Sequence, residues 1–265
     1  MTALPATVAI SVFGLFHPVA VDIEPWGASR VEIRCVGAIN HVLEGRQRAR
    51  LTGQCVAAGP DVDFVLSVPG KIRRHYRGAL RTGGTPFAAV VTMDLERAVA
   101  STVAAEAPAG AGSAMLEAQA IVTRSYFAAG RGRHRTFDFC DTTHCQFITD
   151  PPAYGSTPVR ATTETTGKVL VYQGRVIAAF YAARCNGFLT PLPLNRIAAN
   201  SYPYYAVRCE HCLRHPKWEP PKPNARPHYH GMCQFGAADL ARQGWTAARI
   251  LAQYYPGSEL ETVPH

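Results

Sequence analysis

Two kinds of segment are missing from this chain of 265 residues. There is no run of about 18 apolar residues, so no membrane-spanning helix is expected. No helix-turn-helix, RNP or finger pattern accompanies the densest basic runs, Lys71-Ile72-Arg73-Arg74-His75-Tyr76-Arg77 and Arg131-Gly132-Arg133-His134-Arg135. Those runs read as exposed loop or strand-edge charge, and nucleic acid is not an expected partner. Acidic residues are the scarcer sign: 19 Asp and Glu against 27 Lys and Arg leave a formal charge of +8. That excess suits an anionic neighbourhood without choosing among nucleic acid, a membrane surface and an acidic polymer. Ala6 to Phe16 is apolar, but no basic segment precedes it and no obvious cleavage site follows, so it reads as a first strand. Internal repeats are absent as well.

What is present is ordinary globular chemistry. An apolar share of 47% with a charged share of 17% argues against disorder. The length allows one large domain or two modest ones, each with a hydrophobic core. Eight cysteines, at positions 35, 55, 140, 145, 185, 209, 212 and 233, are many for a reducing compartment unless some bind metal.

The chain reads as an α+β protein in two parts, a β-rich N-terminal lobe over 1–93 and a mixed helix and strand lobe over 94–265. Short runs such as Thr7–Phe16, Ser29–Val36, Asp63–Val68 and Phe87–Thr92 lie between Gly, Pro and Asp turns. The composition changes at Asp94. Leu95 to Glu106 is rich in Ala and Val without Gly or Pro, which suits a buried helix, and Ala107 to Gly112 breaks it. Ser113 is placed to cap a second helix, Ala114 to Ala129, closed by Gly130. This helix is apolar almost all round, which predicts burial and makes its polar members, Glu117, Gln119, Thr123 and Arg124, informative. Gln173-Gly174 between two β-rich runs predicts a hairpin, 216–227 with five prolines an extended loop, and 236–243 and 246–255 two closing helices.

Four segments, in order between Lys71 and Gly257, together resemble the sporulation stage II protein D / LytB family. Lys71 to Gly78 with Leu95-Glu96 and Glu106-Ala107-Pro108 is similar to the family's strand pair and "LEEYLxGVVxxEMP". Leu116 to Tyr126 is similar to "EALKAQAVAARTY", at the family's distance from Glu106. Phe139-Cys140-Asp141-Thr142-Thr143-His144-Cys145-Gln146 is similar to "vCDTTHCQ", with Cys185-Asn186-Gly187-Phe188-Leu189-Thr190 standing where the family has "CGGxT". His228-Tyr229-His230-Gly231-Met232-Cys233-Gln234-Phe235-Gly236-Ala237 resembles "HGVGMSQYGA", followed by Tyr254-Tyr255-Pro256-Gly257.

The resemblance implies a cell-envelope protein acting on peptidoglycan glycan strands. In this sequence, that destination calls for a leader other than Ala6–Phe16 or an unusual start. In the enzymatic branch of the family the implied reaction is that of a lytic transglycosylase, which leaves a 1,6-anhydro sugar. A hydrolase usually needs two carboxylates at a set separation, whereas here one glutamic acid protonates the leaving oxygen and then deprotonates the sugar's own 6-hydroxyl. The resemblance makes Glu106 that acid, and an apolar setting would suit it. The family's second glutamate is replaced by Ala114. Ala98, Ala107, Asn186 and Cys233 depart from the pattern as well. The alternative role, also found in the family, is a non-catalytic wall-binding module that stimulates a wall amidase, and Ala114 favours it. Sporulation is the setting of some relatives, and wall remodelling in a non-sporulating cell fits as well.

Cys140 and Cys145 flank His144, with His134 six residues before Cys140, and thiolate with imidazole is a zinc-type donor set. Zinc, disulfides and buried free thiols compete as readings of the cysteines. With the resemblance, Zn2+ is expected on His134, Cys140 and Cys145, with water or substrate as fourth ligand. In an oxidising envelope Cys35 is expected to pair with Cys55, and Cys185 with Cys209 or Cys212, although spacing fixes no connectivity. Gln119, Arg124, Tyr126, Thr143, Gln146, His228 and Gln234 are the expected glycan-binding residues, with Tyr229 and Phe235 as further aromatic faces. For Arg124 a buried bond to Glu117 or to a backbone carbonyl stands beside that reading.

Overall fold

The computed structural model describes residues 3–192, 202–215, 218–220 and 229–264. Ten strands fill the first ninety-odd residues: β1 (Thr7–Val12), β2 (Val21–Pro25), β3 (Val31–Cys35), β4 (His41–Leu43), β5 (Ala49–Leu51), β6 (Cys55–Ala57), β7 (Asp63–Val68), β8 (Ile72–Arg77), β9 (Ala79–Gly83) and β10 (Ala88–Asp94). Alternation along β3 puts Val31 and Ile33 inside and Glu32 and Arg34 outside, as a half-buried strand requires. A seven-stranded sheet runs β11-β1-β10-β9-β6-β3-β4, where β11 is Phe139–Cys140, and a four-stranded sheet runs β5-β2-β7-β8. The expected disulfide between Cys35 and Cys55 joins facing positions of β3 and β6.

At Asp94 the strand pattern gives way to α1 (Leu95–Glu106), whose first turn is capped by the Asp94 carboxylate accepting from the Arg97 N–H at 3.0 Å. The second helix, α2 (Ser113–Ala129), starts one residue earlier than the capping pattern predicts. Gly112, in an extended conformation, occupies the cap, and its carbonyl accepts from Met115 and Leu116, so Ser113 is already helical. Twelve of the helix's seventeen residues are buried. It packs on α3 (Thr157–Glu164), β12 (Lys168–Tyr172), α4 (Gln234–Arg242) and α5 (Ala247–Tyr254). Strand β12 pairs with β13 (Arg175–Val176) through a two-residue turn in which Gln173 and Gly174 both have positive φ, as predicted from that dipeptide. Only Arg175 and Val176 of the following β-rich run join this hairpin, and Tyr181–Ala182 forms a separate strand, β14. Three two-residue strands follow, β15 (Phe188–Leu189), β16 (Val207–Arg208) and β17 (Met232–Cys233), before β18 (Glu259–Thr262) returns to pair with β12. The proline-rich 216–227 stretch lies, apart from 218–220, outside the described residues.

The β-rich and mixed halves are present, but the compact units interleave along the chain. One comprises 6–105 and 131–152, the other 1–5, 106–130 and 153–265. A boundary near residue 93 marks the change from strand to helix. The unit itself continues, because β11 comes back to add a parallel strand to β1, pairing Ile10 with Phe139 and Ser11 with Cys140.

Candidate functional site

In the helical unit Glu106 closes α1 and is half-buried. The side chain of Gln234, at the start of α4, donates to the Glu106 carbonyl at 3.0 Å and to the Gln119 side-chain oxygen at 3.1 Å. Gln119 in turn donates to the Thr123 hydroxyl at 3.3 Å, one turn along α2. Both glutamines are buried, so each bond stands in for lost water contacts. Beside them is Tyr181, set by the register that pairs it with Met232 on β17. Burial, and next the charge of the Glu106 carboxylate, hold its phenol well above the ordinary range, so it stays protonated, and its hydroxyl makes no hydrogen bond among the described residues. Glu106, Gln119 and Gln234 are thus brought together, and Tyr181 joins them. Nothing in its own sequence neighbourhood distinguishes Tyr181, since a parallel strand pairing across some fifty residues puts it there.

Other expected binding residues are placed differently. Arg124 is wholly buried and donates to the carbonyls of Lys168 and Thr162 at 3.0 and 3.2 Å. That is the backbone-partner role, with no surface left for a sugar. Tyr126 is 3% exposed, with the rings of Phe127 and Phe180 about it, so it too offers almost no face. Phe235 stacks on His215 with ring centroids 3.9 Å apart. His228 lies outside the described residues.

The β-rich unit carries the first cysteine–histidine cluster. Strand β11 fixes Cys140, and a tight turn follows it. The Thr142 hydroxyl accepts the His144 N–H and the Thr142 carbonyl the Cys145 N–H, each at 3.1 Å. Asp141, buried between them, accepts from the Ile148 N–H at 2.9 Å and pairs with Arg74 at 2.5 Å, which pins the turn at both ends. Burial pulls the Asp141 carboxyl up, and Arg74 and the amide offset part of that. Thr143 sits exposed on the turn, while Gln146 is buried with neither amide atom bonded among the described residues.

His144 adds a fourth possible donor to the expected metal set of three. His134, Cys140, His144 and Cys145 present donor atoms all within 4.8 Å of one another. His134 Nε2 is 3.4 Å from Cys145 Sγ, and His144 Nδ1 is 3.5 and 3.7 Å from Cys145 and Cys140 Sγ. Bonds of about 2.3 Å to sulfur and about 2.0 Å to nitrogen in a tetrahedron set neighbouring S and N about 3.5 Å apart, so the residues fit zinc. With His144 in the position assigned to water or substrate, an ion held here would have a closed, structural type of site. Burial, then the neighbouring His144 and Arg133, pull His134 below its usual range and favour the neutral, ligating form. Burial raises the Cys145 thiol, which a divalent ion would have to deprotonate.

The expected pairing of Cys185 with Cys209 or Cys212 is corrected. Cys185 and Cys212 Sγ stand 3.4 Å apart, far beyond the roughly 2.05 Å of a disulfide, and all three are free thiols. Cys233 joins them in a second four-donor cluster, all buried. An open groove beside the Cys35–Cys55 disulfide, lined by Val36, Val56, Arg81, Phe87 and Phe137 among others, contains none of the predicted site residues. No helix among the described residues is long and apolar enough to cross a membrane.

Comparison with known proteins gives one family, described as Stage II sporulation protein (SpoIID), whose model matches residues 84–172. The matched stretch runs from β10 through α1, α2 and the cysteine–histidine turn to β12. No curated protein matches the chain.

Proposed function

From the premise that this chain is a member of the SpoIID family through residues 84–172, we propose that it binds peptidoglycan glycan strands in the cell envelope and promotes the work of a wall amidase. The observation that carries this reading is Ala114, which stands where the family pattern has its second glutamate, inside the matched stretch. The +8 charge suits an anionic wall polymer, and the Cys35–Cys55 disulfide suits an oxidising compartment. Zinc on His134, Cys140, His144 and Cys145 would be structural. It would hold the turn that presents Thr143, while the protein's own polar groups make the hydrogen bonds to sugar.

Strand cleavage is the second reading, favoured by the surroundings of Glu106. The Glu106 carboxylate lies close enough to Tyr181 to help raise its phenol, and Gln234 ties the Glu106 backbone to Gln119. In that reading Glu106 gives its proton to the departing glycosidic oxygen and takes one from the 6-hydroxyl.

One experiment separates the two. Wild-type protein and Glu106→Gln are incubated with purified glycan strands, with and without stem peptides, and the products are analysed by mass spectrometry alongside sacculus binding and amidase release. The wall-binding reading expects both proteins to bind sacculi and accelerate the amidase, with no anhydro-ended fragment from either. Anhydro ends from wild type that vanish in the variant would replace it with the transglycosylase reading. Absence of sacculus binding by wild type would remove both.

A further inference from the structure

Cys185, Cys209, Cys212 and Cys233 come from three separate stretches of chain, yet their sulfurs lie within 4.8 Å of one another. Cys185 precedes the turn into β15. Cys209 caps a turn of 3-10 helix, Glu210–Arg214, and Cys212 lies within it, in the C-x-x-C spacing that directs two sulfurs to one point. Cys233 ends β17 and caps α4. We propose that these four thiols hold a second zinc ion, in a closed four-sulfur site that is structural and that fixes the position of Gln234.

Three observations carry this. The 3.4 Å between Cys185 and Cys212 Sγ is close to the about 3.8 Å edge of a four-sulfur zinc tetrahedron. Second, three sulfurs each face a donor. Tyr254 Oη is 3.1 Å from Cys209 Sγ, the Gly187 N–H donates to Cys212 at 3.3 Å, and the Gly236 N–H donates to Cys233 at 3.4 Å. Four thiolates around one divalent ion carry a net charge of −2, and such donors are what a buried site of that charge needs. Third, the space is shaped to the sulfurs: a Cβ on Gly236 would stand 2.5 Å from Cys209 Sγ and 2.2 Å from Tyr254 Oη.

The need for a staple is visible in the surrounding chain. Between β13 and α4 the described regular elements are two-residue strands and the single 3-10 turn. These bury little apolar surface in regular structure, and a metal supplies folding energy in such places. On binding, each thiol releases its proton to solvent and no electrons move. Cys233 is followed directly by Gln234, the residue that reaches Gln119 and the Glu106 carbonyl. The ion therefore anchors one end of that polar chain.

The test is metal content of the full chain, purified without added chelator, by elemental analysis and native mass spectrometry. Wild type is expected to hold two zinc ions per chain, and Cys212→Ser and Cys145→Ser one each. Cobalt(II) exchange gives a second readout. The intense sulfur-to-cobalt band of a four-thiolate site should disappear in Cys212→Ser and persist in Cys145→Ser. Should Cys212→Ser fail to fold, the wild-type count and a thiol titration under denaturing conditions still decide. Six titratable thiols after chelation accord with the proposal. Two zinc-free disulfides among these four cysteines, or one zinc per chain in wild type with the cobalt band lost only in Cys145→Ser, would overturn it. None of these readouts depends on whether the protein cuts or binds glycan.

Discussion

Single side chains in this molecule differ sharply in how much depends on them. Arg124 is a full charge with no exposed surface, held by backbone carbonyls of α3 and β12. Replacing it with methionine keeps much of the volume but leaves at least two carbonyls without donors. A loss of about 3 kcal/mol in stability is expected from chemical denaturation, with little change in glycan binding beyond that of the folded fraction. Gly231 has φ +73, and a Cβ there would sit 1.9 Å from the Phe180 carbonyl oxygen. Gly231→Ala should therefore displace β17 from β14 and cost about 3 kcal/mol or more, read as a lower melting temperature. Neither role is visible in sequence by itself. Arg124 sits in a motif that a ligand-binding residue could equally occupy, and only its depth and partners decide. His144, by contrast, was in plain view between Cys140 and Cys145. It becomes the fourth donor because the turn at Thr142 folds its ring back toward both sulfurs.

Elements show where local pattern suffices and where it does not. Helix α2 was legible to within one residue at its start, because an apolar run with a breaker on each side has few alternatives. The hairpin at Gln173-Gly174 was legible too, since two adjacent residues must take positive φ. Gln173 is a poor residue for that conformation, so Gln173→Asn should raise stability by about 0.5 kcal/mol, measurable as a shifted denaturation midpoint. The two-residue strands β14 to β17 were not legible. They have no periodicity to read, and the pairing of β14 with β17 leans on the buried Tyr255. Tyr255 donates to the Phe180 carbonyl at 2.5 Å and accepts from the Met232 N–H at 3.1 Å, joining β14 to β17. The second cysteine cluster was half legible. Cys185, Cys209 and Cys212 were expected near one another, as disulfide partners, whereas Cys233 read as a substitution within a glycine-rich motif.

At the scale of the molecule, the eight cysteines divide into one disulfide and two four-donor clusters containing two and four of them. Serine at Cys35 and Cys55 opens a loop spanning 20 residues in the β-rich unit, and about 3 kcal/mol of stability should go with it. Acid acts on the other set. Zinc needs thiolates and neutral imidazoles, so protons compete with it and the stability it contributes is lost as pH falls. Zinc retained on wild type is expected to fall through a descending pH series, followed with a fluorescent chelator. The α+β reading, a strand-rich start followed by a mixed helix and strand region, agrees with the fold. The threading between units escaped it, because composition records what a segment is and says nothing of a later strand returning to an earlier sheet.

That threading has a consequence for biosynthesis. Strand β11 can join β1 only after the whole of α2 has been made, and α2 must wait with its apolar surface uncovered until α3, β12, α4 and α5 arrive to bury it. The nascent chain therefore passes through a stage in which its most hydrophobic helix has no companion, a natural client for a holding chaperone and the point at which misfolding would begin.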